Sequence, residues 1–191
     1  MKLSAYPRMM FSFHDGWDEL HRQPPAVISV MLKLVLPFSL LPALMILYAG
    51  YANGSYYSAG ADLSRWENAA SLFLIAELAT VPLMAWVLQS IAGTKGLKAQ
   101  YHDSFLLAAS AALPLWLSSL VLFVPNLAFN LVGALLGLVA SFAMLYHGLP
   151  SMFGTDEDIE SMDLAYSALS AGGAAWAILV ALVLLPLFSG L

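Results

Sequence analysis

Cysteine is absent from this 191-residue chain, and charged residues are scarce. Without a thiol, the protein can form no disulfide, no iron–sulfur cluster and no thiolate zinc site. Charged residues make up only 10% of the sequence, against about 25% in soluble domains, which is too few to cover a water-facing surface. Hydrophobic residues make up 61%. The composition therefore predicts an integral membrane protein. Because a helix satisfies its backbone hydrogen bonds within its own segment, as the water-free membrane core requires, we predict an all-α fold.

The sequence also lacks the common catalytic motifs. It has no phosphate-binding glycine-rich loop, no Gly-x-Ser-x-Gly and no His-Glu-x-x-His. The stretch Gly93-Thr94-Lys95-Gly96 lacks the spacing of a phosphate loop. No basic patch of useful size is present, which argues against a nucleic-acid partner. We expect a non-enzymatic protein without a cofactor.

Long apolar runs dominate what is present. Each is long enough to cross a hydrocarbon core, which needs about 20 residues. Pro37 and Pro42 fall inside the first run, and because each removes a backbone hydrogen bond, we expect a kink or a break there. The predicted spans cover residues 26–52, 69–92, 104–124, 127–149 and 164–188, and together they form one five-helix membrane domain over residues 26–191.

Residues 1–25 precede the first span and are more polar. Phe13, Trp17 and Leu20 recur at helical spacing, which predicts a short amphipathic helix lying in the membrane interface. The alternative is an irregular lead-in with a chance pattern. Pro24-Pro25 ends the segment in either case, since proline halts a helix.

Lysine and arginine near the span ends predict the orientation, because they concentrate on the cytoplasmic side. We predict that the N-terminus is inside and the C-terminus outside. Residues 1–25 are then cytoplasmic, and only Arg65 lies on the outer side. The inner side collects Lys2, Arg8, Arg22, Lys33, Lys95 and Lys98.

Several short motifs are shared with one known family. They are Trp17 followed by Pro24-Pro25, the sequence Leu-Pro-Phe-Ser-Leu-Leu-Pro at 36–42, Pro-Leu-Trp-Leu at 114–117, Pro125, and Tyr-His-Gly-Leu-Pro-Ser-Met at 146–152. In these motifs the chain resembles the bacterial branch of the Yip-one (Ypt/Rab-interacting protein, YIP domain) family.

The resemblance implies five spans and a cytosolic N-terminus, in agreement with the independent count above. It further implies a membrane-organising or adaptor role and, for the bacterial branch, a multi-pass protein of the inner (cell) membrane. Eukaryotic members bind prenylated Rab-type GTPases. This sequence lacks their Asp-Leu-Tyr-Gly-Pro signature, so we do not carry a GTPase partner over to it.

Glu77 is the main polar residue at membrane depth. It stands about eight residues into its span, which is roughly 12 Å deep at 1.5 Å per residue. An acidic residue at that depth is a functional-site hypothesis, and it suggests a small transporter or channel as the alternative function. Glu77 could pair with Lys33 from the first span, or be a neutral structural residue bonded to a neighbouring helix, with Thr80 as one candidate partner.

A second hypothesis is a metal site on the cytoplasmic side. Imidazole and carboxylate groups form a plausible transition-metal ligand set. The alternative is a solvated acidic loop, from Asp156 to Asp163, that pairs with Lys95 and Lys98. The candidate ligands are His14, Asp18, His21, His102 and His147.

Small residues in the last two spans predict close helix packing. Spacing of four places small residues on one face, where backbones can approach each other. Such packing occurs within one chain or across a homodimer, and the other expected partners are membrane lipid and a second membrane protein. The candidate packing residues are Gly133, Gly137, Ser141, Gly172 and Gly173.

Overall fold

The computed structural model describes residues 9–14, 16–58, 60–155 and 159–188, with side chains omitted for 159–161. All regular structure within these ranges is helical. Five helices are long and apolar enough to cross a membrane, so the predicted fold class, an all-α bundle of five spans, is confirmed. The helices are α1 (Trp17–Arg22), α2 (Val27–Tyr57), α3 (Leu63–Thr94), α4 (Tyr101–Phe123), α5 (Leu127–Phe153) and α6 (Ile159–Phe188).

Capping residues set several of these boundaries. The Asp62 carboxylate accepts a hydrogen bond from the Arg65 backbone N–H and begins α3. The Asn126 side chain does the same for Phe129 at the start of α5. Gly154 ends α5 with a φ of 64°, a left-handed conformation that glycine adopts without a Cβ clash.

The prolines of α2 disturb its first half. Residues Met31–Val35 form a π-helical turn directly before Pro37, and the rest of α2, Leu36–Tyr57, is α-helical apart from Asn53. Pro37 has no N–H and its ring crowds the carbonyl four residues earlier, so a wider turn accommodates it. The disruption expected at Pro37 is therefore a π-helical turn rather than a break in the helix.

Helix α4 is the centre of the bundle. Half of its most apolar window is buried, against 11% for α6. It packs on α3 and α5, whereas α6 packs mainly on α3. The main core includes Trp17, Phe105 and Trp116 and occupies one half of the bundle. A smaller cluster around Ile46, Trp66 and Leu187 fills the other end.

Membrane orientation stays a prediction, and reporter fusions test it. We expect fusions after Gly96 and near Thr155 to report the cytoplasm, because the basic residues before α2 and after α3 favour that side. Fusions near Ser58 and at the C-terminus should report the outside. A cytoplasmic C-terminus would contradict the N-in, five-span topology. We call the end that carries Gly96 and Thr155 the inner end.

Candidate functional site

The segment before the first span is docked on the inner end of the bundle. We call residues 9–22, of which residue 15 is not described, the docked segment. Its helix α1 buries Trp17 completely and Leu20 almost completely. The Trp17 indole N–H donates to the Met9 carbonyl at 2.9 Å. A helix is thus present over Trp17–Arg22 but does not include Phe13, and its apolar residues Trp17 and Leu20 pack against protein.

Gly148 of α5 makes room for the docked indole. A Cβ at this position would lie 2.8 Å from Trp17 Cη2 and 2.5 Å from Leu107 Cδ1. Both distances are below normal van der Waals contact, so a larger residue would displace one of the two side chains. The absence of a side chain at Gly148 therefore shapes the pocket for Trp17.

Ser151, one turn beyond Gly148, fixes the same segment by polar contacts. Its hydroxyl lies 2.5 Å from the Phe13 carbonyl and 2.8 Å from Asp18 Oδ1, and its single proton serves one acceptor at a time. The hydrogen bond from Ser151 holds the pKa of Asp18 below its ordinary value, with smaller contributions from His14 and Arg22. This stabilisation is present at neutral pH and is lost as the pH falls below about 3.9 through the lowered pKa.

The predicted metal ligands divide among three contacts, and one of these brings His21 and His102 together at Asp103. His14 Nδ1 lies 3.4 Å from Asp18, while His21 and His102 approach Asp103 at 3.7 and 3.1 Å. His147 contacts the Ala143 carbonyl at 2.8 Å, and its ring packs on Phe13. In the described part of the chain, no three histidine or acidic side chains are arranged to hold a metal ion. The geometry therefore gives the metal hypothesis no support.

Part of the acidic loop lies outside the described residues, namely Asp156, Glu157 and Asp158, together with the side chain of Glu160. Asp163, at its end, forms an ion pair with Lys95. This pair agrees with the alternative in which the acidic loop pairs with the basic residues that follow α3.

Glu77 of α3 is buried, with 6% of its surface exposed. Its Oε1 accepts a hydrogen bond from the Trp116 indole N–H of α4 at 2.7 Å. Lys33 is exposed on the π-helical turn, and no ion pair between the two appears among the described residues. Thr80 donates to the Ala76 carbonyl instead of to Glu77. Neither Lys33 nor Thr80 is therefore the partner of Glu77, and its hydrogen bond is with a neighbouring helix, as in the structural alternative.

The small residues of the last two spans all lie at helix contacts within the chain. A Cβ on Gly133 would meet the Val121 side chain, and one on Gly137 would lie 2.6 Å from Ser118 Cβ. Ser141, on the same face, is buried. A Cβ on Gly172 or Gly173 would lie 3.8 or 3.4 Å from the Phe142 ring of α5. Helix α5 thus uses one small-residue face toward α4 and presents Phe142 to α6.

Four residues of the helix contacts were missed as site residues, namely Trp116, Gly148, Gly50 and Gly54. Trp116 could have been suspected, because an indole in an apolar span needs an acceptor. Gly148 carries no such signal, since it has no small residue four positions away to form a packing motif. Gly50 and Gly54 do have that spacing, and both lie against Trp66.

The motifs that carry the family resemblance converge in space. Trp17 contacts Gly148 and its neighbour Asp18 contacts Ser151, which joins the first motif to the stretch 146–152. Phe38 of the 36–42 stretch stacks on Trp116 of the 114–117 stretch, with ring centroids 6.2 Å apart. The motifs of the resemblance are thus concentrated at two places, the docked segment and the Glu77–Trp116 contact.

Comparisons with known proteins identify one family. A family model described as Yip1 domain matches residues 8–191, which is nearly the whole chain. No curated protein and no solved structure matches it significantly.

Proposed function

Because the chain belongs to the Yip1 domain family, we propose that it is a non-enzymatic membrane-organising or adaptor protein that presents its inner end to a partner. We further propose that it resides in a bacterial inner membrane with the docked segment in the cytoplasm. The surface of the docked segment carries the proposal, since it is an ordered polar surface at that end of the bundle.

The docked segment exposes polar groups in fixed positions. His14 and Arg22 have side chains 74% and 77% exposed, while Asp18 between them is held by Ser151. Ordering a backbone costs about 1 to 2 kcal/mol per residue, and burial of Trp17 and Leu20 offsets part of that cost. A surface that is already ordered loses less entropy on binding, which favours recognition. The geometry therefore suits a binding surface.

Site-specific photo-crosslinking in intact cells tests this proposal. A photoreactive residue at Arg22 should yield an adduct with a protein of defined mass, whereas one at Leu136, which is 64% exposed on the apolar surface of α5, should yield lipid adducts. Introducing Trp17→Ala in the Arg22 probe should abolish the protein adduct, because the docked segment then has no fixed shape. Lipid adducts alone at Arg22, or a protein adduct unaffected by Trp17→Ala, would contradict the proposal.

The second candidate function is a small transporter that uses Glu77. The observation in its favour is that Glu77 lines two interhelical cavities of about 60 and 220 Å³. The walls of both cavities are mostly aliphatic. In the larger cavity the serine hydroxyls donate hydrogen bonds to carbonyls of their own helix. Such walls offer little to a hydrated ion, so we favour the adaptor.

Substitutions of Glu77 separate the two candidates. We expect Glu77→Gln to be nearly silent, because the amide oxygen still accepts from Trp116 but cannot exchange a proton. Glu77→Leu should cost about 0.6 kcal/mol of stability, the average for a hydrogen bond in a membrane bundle. Lys33→Met is the control and should change nothing. Thermal unfolding in detergent and flux into liposomes measure both effects; flux that Glu77→Gln removes would favour the transporter.

A further inference from the structure

Two interhelical cavities join along one side of α6. The first, of about 220 Å³, extends from Glu77 and Trp116 to Val183 and Leu184. The second, of about 470 Å³, shares Val183 and Leu184 and continues to Tyr56 and Phe188. We call the joined space the α6 groove. Its combined size falls within the range of small-molecule sites, about 300 to 1,000 Å³.

The α6 groove opens toward the lipid. Leu127, Leu184 and Phe188 on its rim are 68%, 47% and 65% exposed. Its floor contains buried residues, among them Ile46 and Leu187. The α6 groove therefore extends from the lipid-facing surface into the interior of the bundle.

The serine, glutamate and asparagine side chains of the inner cavity have hydrogen-bond partners within the chain. Ser118 and Ser119 donate to the Leu115 and Trp116 carbonyls at 2.8 and 2.7 Å. Glu77 accepts from Trp116. Asn130 is best oriented with its NH₂ on the Val121 and Val124 carbonyls and its oxygen on the Tyr57 hydroxyl, an arrangement that satisfies every atom. A ligand needs no polar group to fill this cavity.

The length of the α6 groove matches one leaflet. Trp176 lines its inner part and Phe188 its mouth, and twelve residues of helix separate them, which is about 18 Å. Half of a hydrocarbon core is about 15 Å. The mouth lies beside Tyr56, Tyr57 and Trp66, and such aromatic residues are enriched where the core meets the headgroups. A lipid with its headgroup at this level would place one chain along the whole groove.

We propose that the α6 groove binds one acyl chain of a phospholipid from the leaflet on the side of Tyr56 and Phe188, inserted between the helices with its tip near Trp116. The hydrocarbon core of the membrane consists of acyl chains, and the apolar walls of the groove can contact one such chain along its whole length. Trp66 lines the wall near the mouth with its ring, while its indole N–H is buried on the side of Gly54. This inference does not depend on the proposed adaptor role.

Lipid retention measured by native mass spectrometry tests the inference. The intact protein is reconstituted in vesicles of phosphatidylethanolamine and phosphatidylglycerol, and detergent is then added until surface lipid is removed. We expect one phospholipid to stay on each wild-type chain. Ala134→Phe from α5 and Val180→Phe from α6 both fill the groove and should lower the retained fraction at least fivefold. Ala128→Phe, exposed on the same helix as Ala134, is the control and should retain the lipid.

A second measurement uses the wild-type chain, so it does not depend on the folding of a variant. Trp116 and Trp176 line the groove, and Trp116 is almost fully buried from surface lipid. Titration with a phospholipid brominated on one chain should quench part of the tryptophan emission with saturation at one lipid per chain. Equal retention in all variants, no retained phospholipid in the wild type, a retained free fatty acid or detergent instead, or quenching without saturation would each overturn the inference.

Discussion

Replacement of Trp17 by alanine is expected to release the docked segment and to lower the free energy of unfolding by about 3 to 5 kcal/mol, the range for large aromatic truncations in a core. Trp17 is fully buried against Gly148 and Leu107, and its indole N–H closes the segment on itself through the Met9 carbonyl. The change removes the largest apolar contact of the segment and leaves a cavity that short polar contacts cannot fill.

Hydrogen exchange and thermal unfolding in detergent measure the two parts of this prediction. Amides of residues 9–22 should exchange faster in Trp17→Ala, and the unfolding temperature should fall. Phe11→Ala is the matched control: Phe11 belongs to the same segment but is 81% exposed, so its loss should change stability by no more than about 0.5 kcal/mol. If both variants behaved like the wild type, the docked arrangement would be incorrect.

Replacement of Gly137 by leucine is expected to separate α5 from α4. A Cβ at this position would lie 2.6 Å from Ser118 Cβ and 3.1 Å from the Pro114 backbone carbonyl. The serine can rotate, but the backbone carbonyl cannot move without shifting the helix. Overpacking of this kind costs about 1 to 3 kcal/mol or more.

The control for this prediction is Gly93→Leu, since a Cβ at Gly93 meets nothing within 4 Å. It also lies in a helix, near the end of α3, so the change of residue type is the same. Thermal unfolding of both variants in one detergent gives the comparison. We expect Gly137→Leu alone to unfold at a lower temperature. Equal unfolding temperatures would mean that the α4–α5 contact is looser than described.

The fold class could be predicted because it depends on composition and run length. Five apolar stretches separated by turn residues leave few alternatives once the surrounding medium is hydrocarbon. The disruption near Pro37 was predictable for a local reason, the missing N–H, although its form as a π-helical turn was not. Lateral arrangement, in contrast, is set by packing between helices that are distant in the chain.

Glu77 shows where this limit lies. Its depth follows from counting residues, but which way it faces depends on the rotation of α3 against its neighbours. Its partner Trp116 stands 39 residues further on, at a similar depth in α4. Lys33 lies in a span that enters the membrane from the opposite side. From the sequence alone it was an equally plausible partner for Glu77. Only the packed structure distinguishes them.

For the candidate metal ligands, a local sequence pattern suggested a site that the packed structure does not form. His14, Asp18 and His21 have a promising local spacing, yet α1 begins only at Trp17 and places His21 beside Asp103 of α4. Burial of Trp17 fixes the rotation of α1 about its axis. The positions of the histidine side chains are a consequence of that rotation. Apolar burial thus determined the positions of the polar groups at the inner end.

The docked segment also has a consequence for how the protein is made. Asp18 and its partner Ser151 are 133 residues apart in the chain. At about 5 to 20 residues per second, the ribosome needs about 7 to 27 s to synthesise the residues between them. During that interval Trp17 and Leu20 lack their place in the bundle, and the membrane interface is the apolar phase within reach. Docking can take place only after four spans have been inserted, so it marks the time at which most of the chain has entered the membrane.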